Sequence, residues 1–242
     1  MPASALGEFF GTLILILLGN GVVAGVVLEK TKAHNAGWIV IATGWALAVM
    51  LGVFVAASMG APGELNPAVT IANIARGSRT AGDGLWHIVA QLGGAFAGAT
   101  LVWLHYLPHW AATTDQAGKL ACFSTGPAIR ATVPNLISEI IGTFVLVFVA
   151  GAIFSTAAQG ASAASNVGPL FVGALVWGIG LSLGATTGYA INPARDLGPR
   201  IAHALLPIAG KGGSDWSYSW IPVVGPVVGG VLAALLAGAV AR

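Results

Sequence analysis

The chain has 242 residues, of which 56% are hydrophobic and only 7% charged, and its mean hydropathy is +0.86. That balance excludes an ordinary soluble domain and indicates a polytopic membrane protein, with room for about six spans of roughly 20 residues each. The formal charge of +2 is carried by few ionic groups. No basic run could follow a phosphate backbone, so nucleic acid is excluded as a partner. A single cysteine, Cys122, excludes an internal disulfide and any cysteine metal cluster.

The first apolar run, residues 6–28, carries one acid, Glu8, and stops at the polar Glu29-Lys30-Thr31-Lys32. It lacks the basic start and small-residue cleavage site of a signal peptide, so it is predicted to be a retained span. Residues 37–57 form the second span, with Trp38 near one end, where an indole suits the interface. A Gly/Pro-rich turn over 58–64 then leads to Asn66-Pro67-Ala68. Asn can cap a helix, and Pro at the first turn gives up an N–H that had no partner anyway. The predicted helix, 66 to about 76, is closed by Gly77 and is too short to cross a bilayer. Residues 84–106 form the third span and 107–134 a long polar loop. Residues 135–156 form the fourth span, with Glu139 near its start, 159–166 an uncharged linker of small residues, and 167–188 the fifth span. Asn192-Pro193-Ala194 opens a second short helix, to about residue 206. Residues 216–240 form the sixth span, which Pro222 and Pro226 should kink or loosen.

The two halves repeat. Glu8-Phe9-Phe10-Gly11-Thr12 at the start of span one matches Glu139-Ile140-Ile141-Gly142-Thr143 at the start of span four, and each half continues as span, short helix, span. Three full crossings per repeat force the second copy to enter from the opposite side, so the repeats are inverted. The expected architecture is therefore all-α, with six transmembrane helices and two re-entrant half-helices meeting near the middle of the membrane. The pairs Gly7/Gly11, Gly94/Gly98, Ser138/Gly142, Gly180/Gly184 and Gly225/Gly229 allow close helix approach. Where the half-helices meet, their free N–H groups, their positive dipole ends and the Asn66 and Asn192 amides would repel cations. They would also orient water so that it cannot carry a proton wire.

The paired Asn-Pro-Ala boxes and the duplicated Glu motif span the chain from Glu8 to Pro226. By these features the sequence resembles the aquaporin family, and within it the glycerol facilitator branch. The resemblance implies one channel domain of two repeats, about 1–107 and 134–242, joined by an extracellular loop, 108–133. It further implies a homotetramer in the plasma or inner membrane with cytoplasmic termini, although the Lys/Arg tally of the connections leans the other way. Carbonyls of Pro62, Gly63, Glu64, Gly188, Tyr189 and Ala190 would line one side of the pore. Asn66, Pro67, Ala68, Asn192, Pro193 and Ala194 would form its central constriction. Trp45, Gly180, Tyr189 and Arg195 would form the narrowest ring, in which Gly180 supplies space, the two aromatic residues an apolar corner, and Arg195 hydrogen-bond donors and cation rejection. Asp196 and Arg200, spaced for an i,i+4 pair, would set pore width; a surface ion pair is the alternative. Glu8 and Glu139, acids in apolar spans that need donors, would brace the re-entrant loops.

Two departures from the family pattern stand out. Glu64 occupies a place that usually holds His, where it would either attract cations or be neutralised by a neighbour. Tyr189 replaces the usual Phe, and its hydroxyl would narrow and polarise the ring. The implied activity is passive conduction of glycerol, water and related small polyols, with protonated lactic acid, dihydroxyacetone and hydrogen peroxide as further candidates. A secondary transporter would share the inverted repeats but would need a coupling site at the midplane, and Glu8 and Glu139 lie near span ends. An enzyme would need a nucleophile and a base. His34, His87, His105, His109 and His203 fall mostly in loops or at helix ends without metal-ligand spacing, and are read as solvated or interfacial. No metal or cofactor is implied.

Overall fold

The computed structural model describes residues 2–155 and 167–240, and among these the backbone is helical with no strand. The helices are α1 (Ala3–Val27), α2 (Trp38–Ser58), α3 (Pro67–Ala75), α4 (Ala81–His105), α5 (Leu107–Ala112), α6 (Gln116–Ala121), α7 (Thr132–Ile153), α8 (Gly168–Ser182), α9 (Pro193–Leu205) and α10 (Ile221–Val240). Among the described residues α1, α2, α4, α7 and α10 are long and apolar enough to cross a membrane, and α8 is apolar but shorter. The expected linker over 159–166 lies outside the described residues.

Where boundaries differ from expectation, local chemistry accounts for it. Helix α4 starts before residue 84 because Thr80 caps it: its hydroxyl oxygen accepts from the Asp83 N–H at 3.1 Å. The connection over 107–134 is not all loop. It holds α5, with a proline in its first turn, and α6, capped by Asp115, whose carboxylate accepts from Ala117 N at 3.0 Å. Helix α8 ends at Ser182, short of 188, because the chain turns through 183–187 and Gly188 takes a left-handed φ of 80°. Helix α10 begins at Ile221, after a turn over 216–220. Pro222 therefore falls in its first turn, where it disturbs nothing, and only Pro226 interrupts its hydrogen bonding.

The packing repeats as the sequence does. Helix α1 packs on α2 and α4, while α7 packs on α8 and α10, and α2 meets α8 across the two halves. The half-helices cross over: α3 of the first half packs on α10 of the second, and α9 of the second on α4 of the first. Glycines permit the closest approaches in equivalent places. A Cβ on Gly94 or Gly98 of α4 would lie 2.2 or 2.6 Å from the Phe9 or Leu13 carbonyl oxygen of α1, and one on Gly229 of α10 2.3 Å from that of Ile140 in α7. Backbones this close gain dispersion contacts that replace the hydrophobic drive absent in lipid.

The pair Gly180/Gly184 serves another purpose. A Cβ on Gly180 would meet the Tyr189 hydroxyl at 2.9 Å, and one on Gly184 would meet the Tyr189 ring at 2.4 Å. This small-residue groove receives the side chain of a re-entrant loop, with Ala42 of α2 beside it.

Candidate functional site

The two half-helices begin side by side. The Asn66 side-chain oxygen accepts from Ala68 N at 2.9 Å, and that of Asn192 accepts from Ala194 N at 2.9 Å and Arg195 N at 3.2 Å. Each Asn therefore caps its own helix, and each amide nitrogen reaches across to the other loop. Asn66 Nδ2 donates to the Ile191 carbonyl and Asn192 Nδ2 to the Leu65 carbonyl, both at 2.8 Å. Reciprocal bonds between residues 125 and 127 positions apart fix the two tips together.

The segments leading into these tips are strained in matching places. Gly63 and Tyr189, three residues before each Asn, have φ of 70° and 37°, and Leu65 and Ile191, directly before it, have 50° and 42°. A left-handed φ is a genuine outlier for a β-branched residue such as Ile191 and persists only where its surroundings enforce it. Two buried carboxylates do so. Glu8 accepts from Glu64 N (2.9 Å), Leu65 N (2.7 Å) and Gln91 Nε2 (2.8 Å). Glu139 accepts from Ala190 N (3.0 Å), Ile191 N (2.8 Å) and the Thr187 hydroxyl (2.7 Å). Oriented donors offset the cost of burying each carboxyl group, and each loop is held in the form that no local preference would give it.

A cavity of about 930 Å³ runs along both tips. Its walls include Trp45, Tyr189 and Arg195, then Asn66 and Asn192, then Asn73, Arg76 and Phe154. Of the six residues expected to offer carbonyls, Pro62, Gly63, Glu64 and Tyr189 line it, whereas Gly188 and Ala190 do not. Gly180 is not on the wall either, because the Tyr189 ring lies over it. The Arg195 guanidinium is stacked 4.0 Å from the centre of the Trp45 ring, and its NH1 donates to the Phe123 carbonyl at 3.3 Å. Trp38, two helical turns before Trp45 on α2, is off the cavity wall and packs behind it. Its Nε1 donates to the Gly180 carbonyl at 3.0 Å and its ring stands edge-on to Tyr189 at 5.9 Å. The seven-residue spacing of the two tryptophans was the available signal.

Asp196 and Arg200 form a fully buried pair, not a surface one. Arg200 Nε and NH2 donate to Asp196 at 2.8 and 3.0 Å, and its remaining donors reach the carbonyls of Thr125, Ser214 and Asp215. Asp196 also accepts from the Thr125 N–H (2.8 Å) and hydroxyl (2.7 Å). Neither residue lines the cavity; together they clamp the 123–125 backbone that carries the Phe123 carbonyl.

Glu64 is neutralised by neighbours. Arg79 Nε donates to it at 2.9 Å, the Thr70 hydroxyl at 2.7 Å, and Asn73 Nδ2 and His87 Nδ1 complete the set. His87, expected at an interface, is fully buried between Glu64 and Ser4 Oγ, and His203 is equally buried against Ser214 Oγ. His87 has a polar partner at both ring nitrogens, whereas His203 has one at Nδ1 and its Nε2 has none among the described residues. Glu8, Glu64 and His87 bring potential ligand atoms within 4.8 Å of one another. All of these atoms already serve the hydrogen bonds above, and through them the trio forms a bracing network.

Fold and site together define an integral membrane channel in which two half-helices, one from each half of the chain, start against a single cavity. The chain belongs to the major intrinsic protein family: a sequence model described as "Major intrinsic protein" matches residues 2–237. It is 58% identical over 230 residues to "Glycerol uptake facilitator protein" of Streptococcus pneumoniae (strain ATCC BAA-255 / R6), covering 95% of this chain and 96% of that one. It is 57% identical over 236 residues to "Glycerol uptake facilitator protein 3" of Lactiplantibacillus plantarum, covering 96% and 94%. Among solved structures it is similar to the aquaglyceroporin from Plasmodium falciparum, with a TM-score of 0.83 and 26% identity over 97% of this chain and 94% of that one.

Proposed function

We propose that the protein is a passive channel for small neutral solutes, glycerol and water first, and that Trp45, Tyr189 and Arg195 form its selective ring with Gly180 behind Tyr189. The observation that carries this reading is the reciprocal Asn66–Ile191 and Asn192–Leu65 pair of bonds beside the cavity. It leaves each amide one further N–H, which we assign to the passing solute. Two positive helix ends at that point, with Arg195 beyond them, disfavour cations and protons. The Trp45 face gives carbon a surface to slide along while hydroxyls address the guanidinium and loop carbonyls. The relatives' names, which speak of glycerol uptake, support the solute class. No enzyme chemistry is needed. A coupled transporter is disfavoured because Glu8 and Glu139 are fully engaged in holding loops. On this reading the protein is a homotetramer in the plasma or inner membrane, its termini are cytoplasmic, and 108–133 is the extracellular loop between repeats 1–107 and 134–242.

Proteoliposomes should shrink and then reswell in a glycerol gradient without any ion gradient, as followed by stopped-flow light scattering. Flux that requires a proton or sodium gradient would instead establish a transporter.

Protonated lactic acid is a second solute on this reading, and one observation favours it. Tyr189 is on the cavity wall, and its hydroxyl, turned toward Gly180 and buried, has no hydrogen-bond partner among the described residues. A turn of the ring toward the cavity would let a solute carrying a strong acceptor supply the missing partner. Tyr189→Phe is accordingly expected to lower the ratio of lactic acid to glycerol permeation, measured at low pH, by about threefold to tenfold, the worth of one hydrogen bond. An unchanged ratio removes the hydroxyl from solute recognition.

A further inference from the structure

Helix α1 is apolar through its middle, yet it carries Asn20, which is completely buried. A buried amide in such a helix is a cost unless all its polar atoms are met, and here only one is. Asn20 Nδ2 donates to the Phe123 carbonyl at 3.1 Å, whereas Oδ1 has no partner among the described residues. Stability therefore gives a poor account of this residue, and the place where its one bond lands gives a better one.

The Phe123 carbonyl oxygen has two lone pairs. One accepts from Asn20 and the other from Arg195 NH1. Among the described residues that bond, at 3.3 Å, is the one side-chain hydrogen bond of Arg195, and the guanidinium's other support is the Trp45 ring. That ring in turn lies against Gly19, where a Cβ would come within 2.3–2.6 Å of three ring atoms. Both supports of Arg195 thus trace back to two consecutive residues of α1.

We propose that Gly19-Asn20 is a second tier of the filter. Asn20 is a positioning residue that sets the tilt of the Phe123 carbonyl and through it the place of the Arg195 guanidinium; Gly19 admits the tryptophan that backs the other side. The surrounding backbone does not need Asn20 to stay folded. The Phe123 ring is flanked by Trp110 and His203, at 5.6 and 5.3 Å between centres, and Thr125 is clamped by Asp196 and Arg200. Removing the Asn20 donor frees one carbonyl, not the loop, so selectivity changes before folding does.

The inference rests on Arg195 acting in the filter, and the test separates the two. Full-length wild type, Asn20→Leu, Arg195→Ala and the double variant are reconstituted, and permeabilities to water, glycerol and the four-carbon polyol erythritol are measured by stopped flow. Ratios of permeabilities belong to each open pore and do not depend on how many insert. Asn20→Leu should change the erythritol-to-glycerol ratio by about threefold or more, and should have no further effect once Arg195 is alanine, the signature of two residues acting through one another. Should Asn20→Leu fail to insert, Asn20→Ala asks the same question with a smaller side chain. If Arg195→Ala alters the ratio but neither Asn20 variant does, or if they act equally in both backgrounds, the positioning role is refuted while the filter stands. If Arg195→Ala leaves the ratio unchanged, the filter reading falls and this inference falls with it.

Discussion

Arg200→Met should destabilise the protein by about 3–5 kcal/mol, the usual consequence of leaving a buried carboxylate without its partner. Arg200 is fully buried and donates to Asp196 and to three loop carbonyls. Methionine fills much of the volume but supplies no donor. Asp196 would then keep only its bonds from Thr125, and the carbonyls of Thr125, Ser214 and Asp215 would each lose a partner. Arg200→Lys should rescue little, because one ammonium cannot occupy the three directions that a planar fork serves. Combining Arg200→Met with Asp196→Leu should recover part of the loss, since no uncompensated charge then remains. Thermal unfolding in detergent is the measurement. An Arg200→Met protein that melts with the wild type would show that the clamp contributes nothing to folding.

That clamp also shows where sequence reasoning reaches and where it stops. The i,i+4 spacing of Asp196 and Arg200 is local and was legible. Their burial was not, because it depends on Thr125 and Ser214, which the fold brings in from two other connections. The half-helix starts were legible for the same local reason: an Asn cap followed by Pro is complete within three residues. Glu8 and Glu139 announced themselves as acids in apolar runs, since such a group must find donors somewhere. The surroundings of Glu64 were hidden. Its partners Thr70, Asn73, Arg79 and His87 are strung over the next 23 residues, and only the turn from α3 back into α4 gathers them. The short helices α5 and α6 were missed because six residues give no apolar period to read.

Gly180 is where sequence and structure lead to different physical pictures of one expected result. Gly180→His, with Tyr189 retained, should reduce glycerol flux by about tenfold or more, a barrier increase of at least ~1.4 kcal/mol, while water flux falls much less. The sequence places Gly180 as an open space in the ring. In the structure that space is taken by the Tyr189 phenol, whose oxygen would lie 2.9 Å from a Cβ at position 180. A histidine therefore narrows the ring indirectly, by driving the tyrosine off α8. A Cβ on Gly184 would meet its ring at 2.4 Å, the Tyr189 backbone is held at φ 37°, and the Ala190 N–H is bound to Glu139, so the expected movement is into the cavity that Tyr189 lines. Even Gly180→Ala should act in this direction, since a single methyl meets the hydroxyl, and Gly180→Ala with Tyr189→Phe should largely relieve it. Equal losses of water and glycerol in Gly180→His would point to general collapse of the bundle. Normal glycerol flux in that variant would mean that the narrowest point lies elsewhere along the cavity, past the paired Asn66 and Asn192 amides.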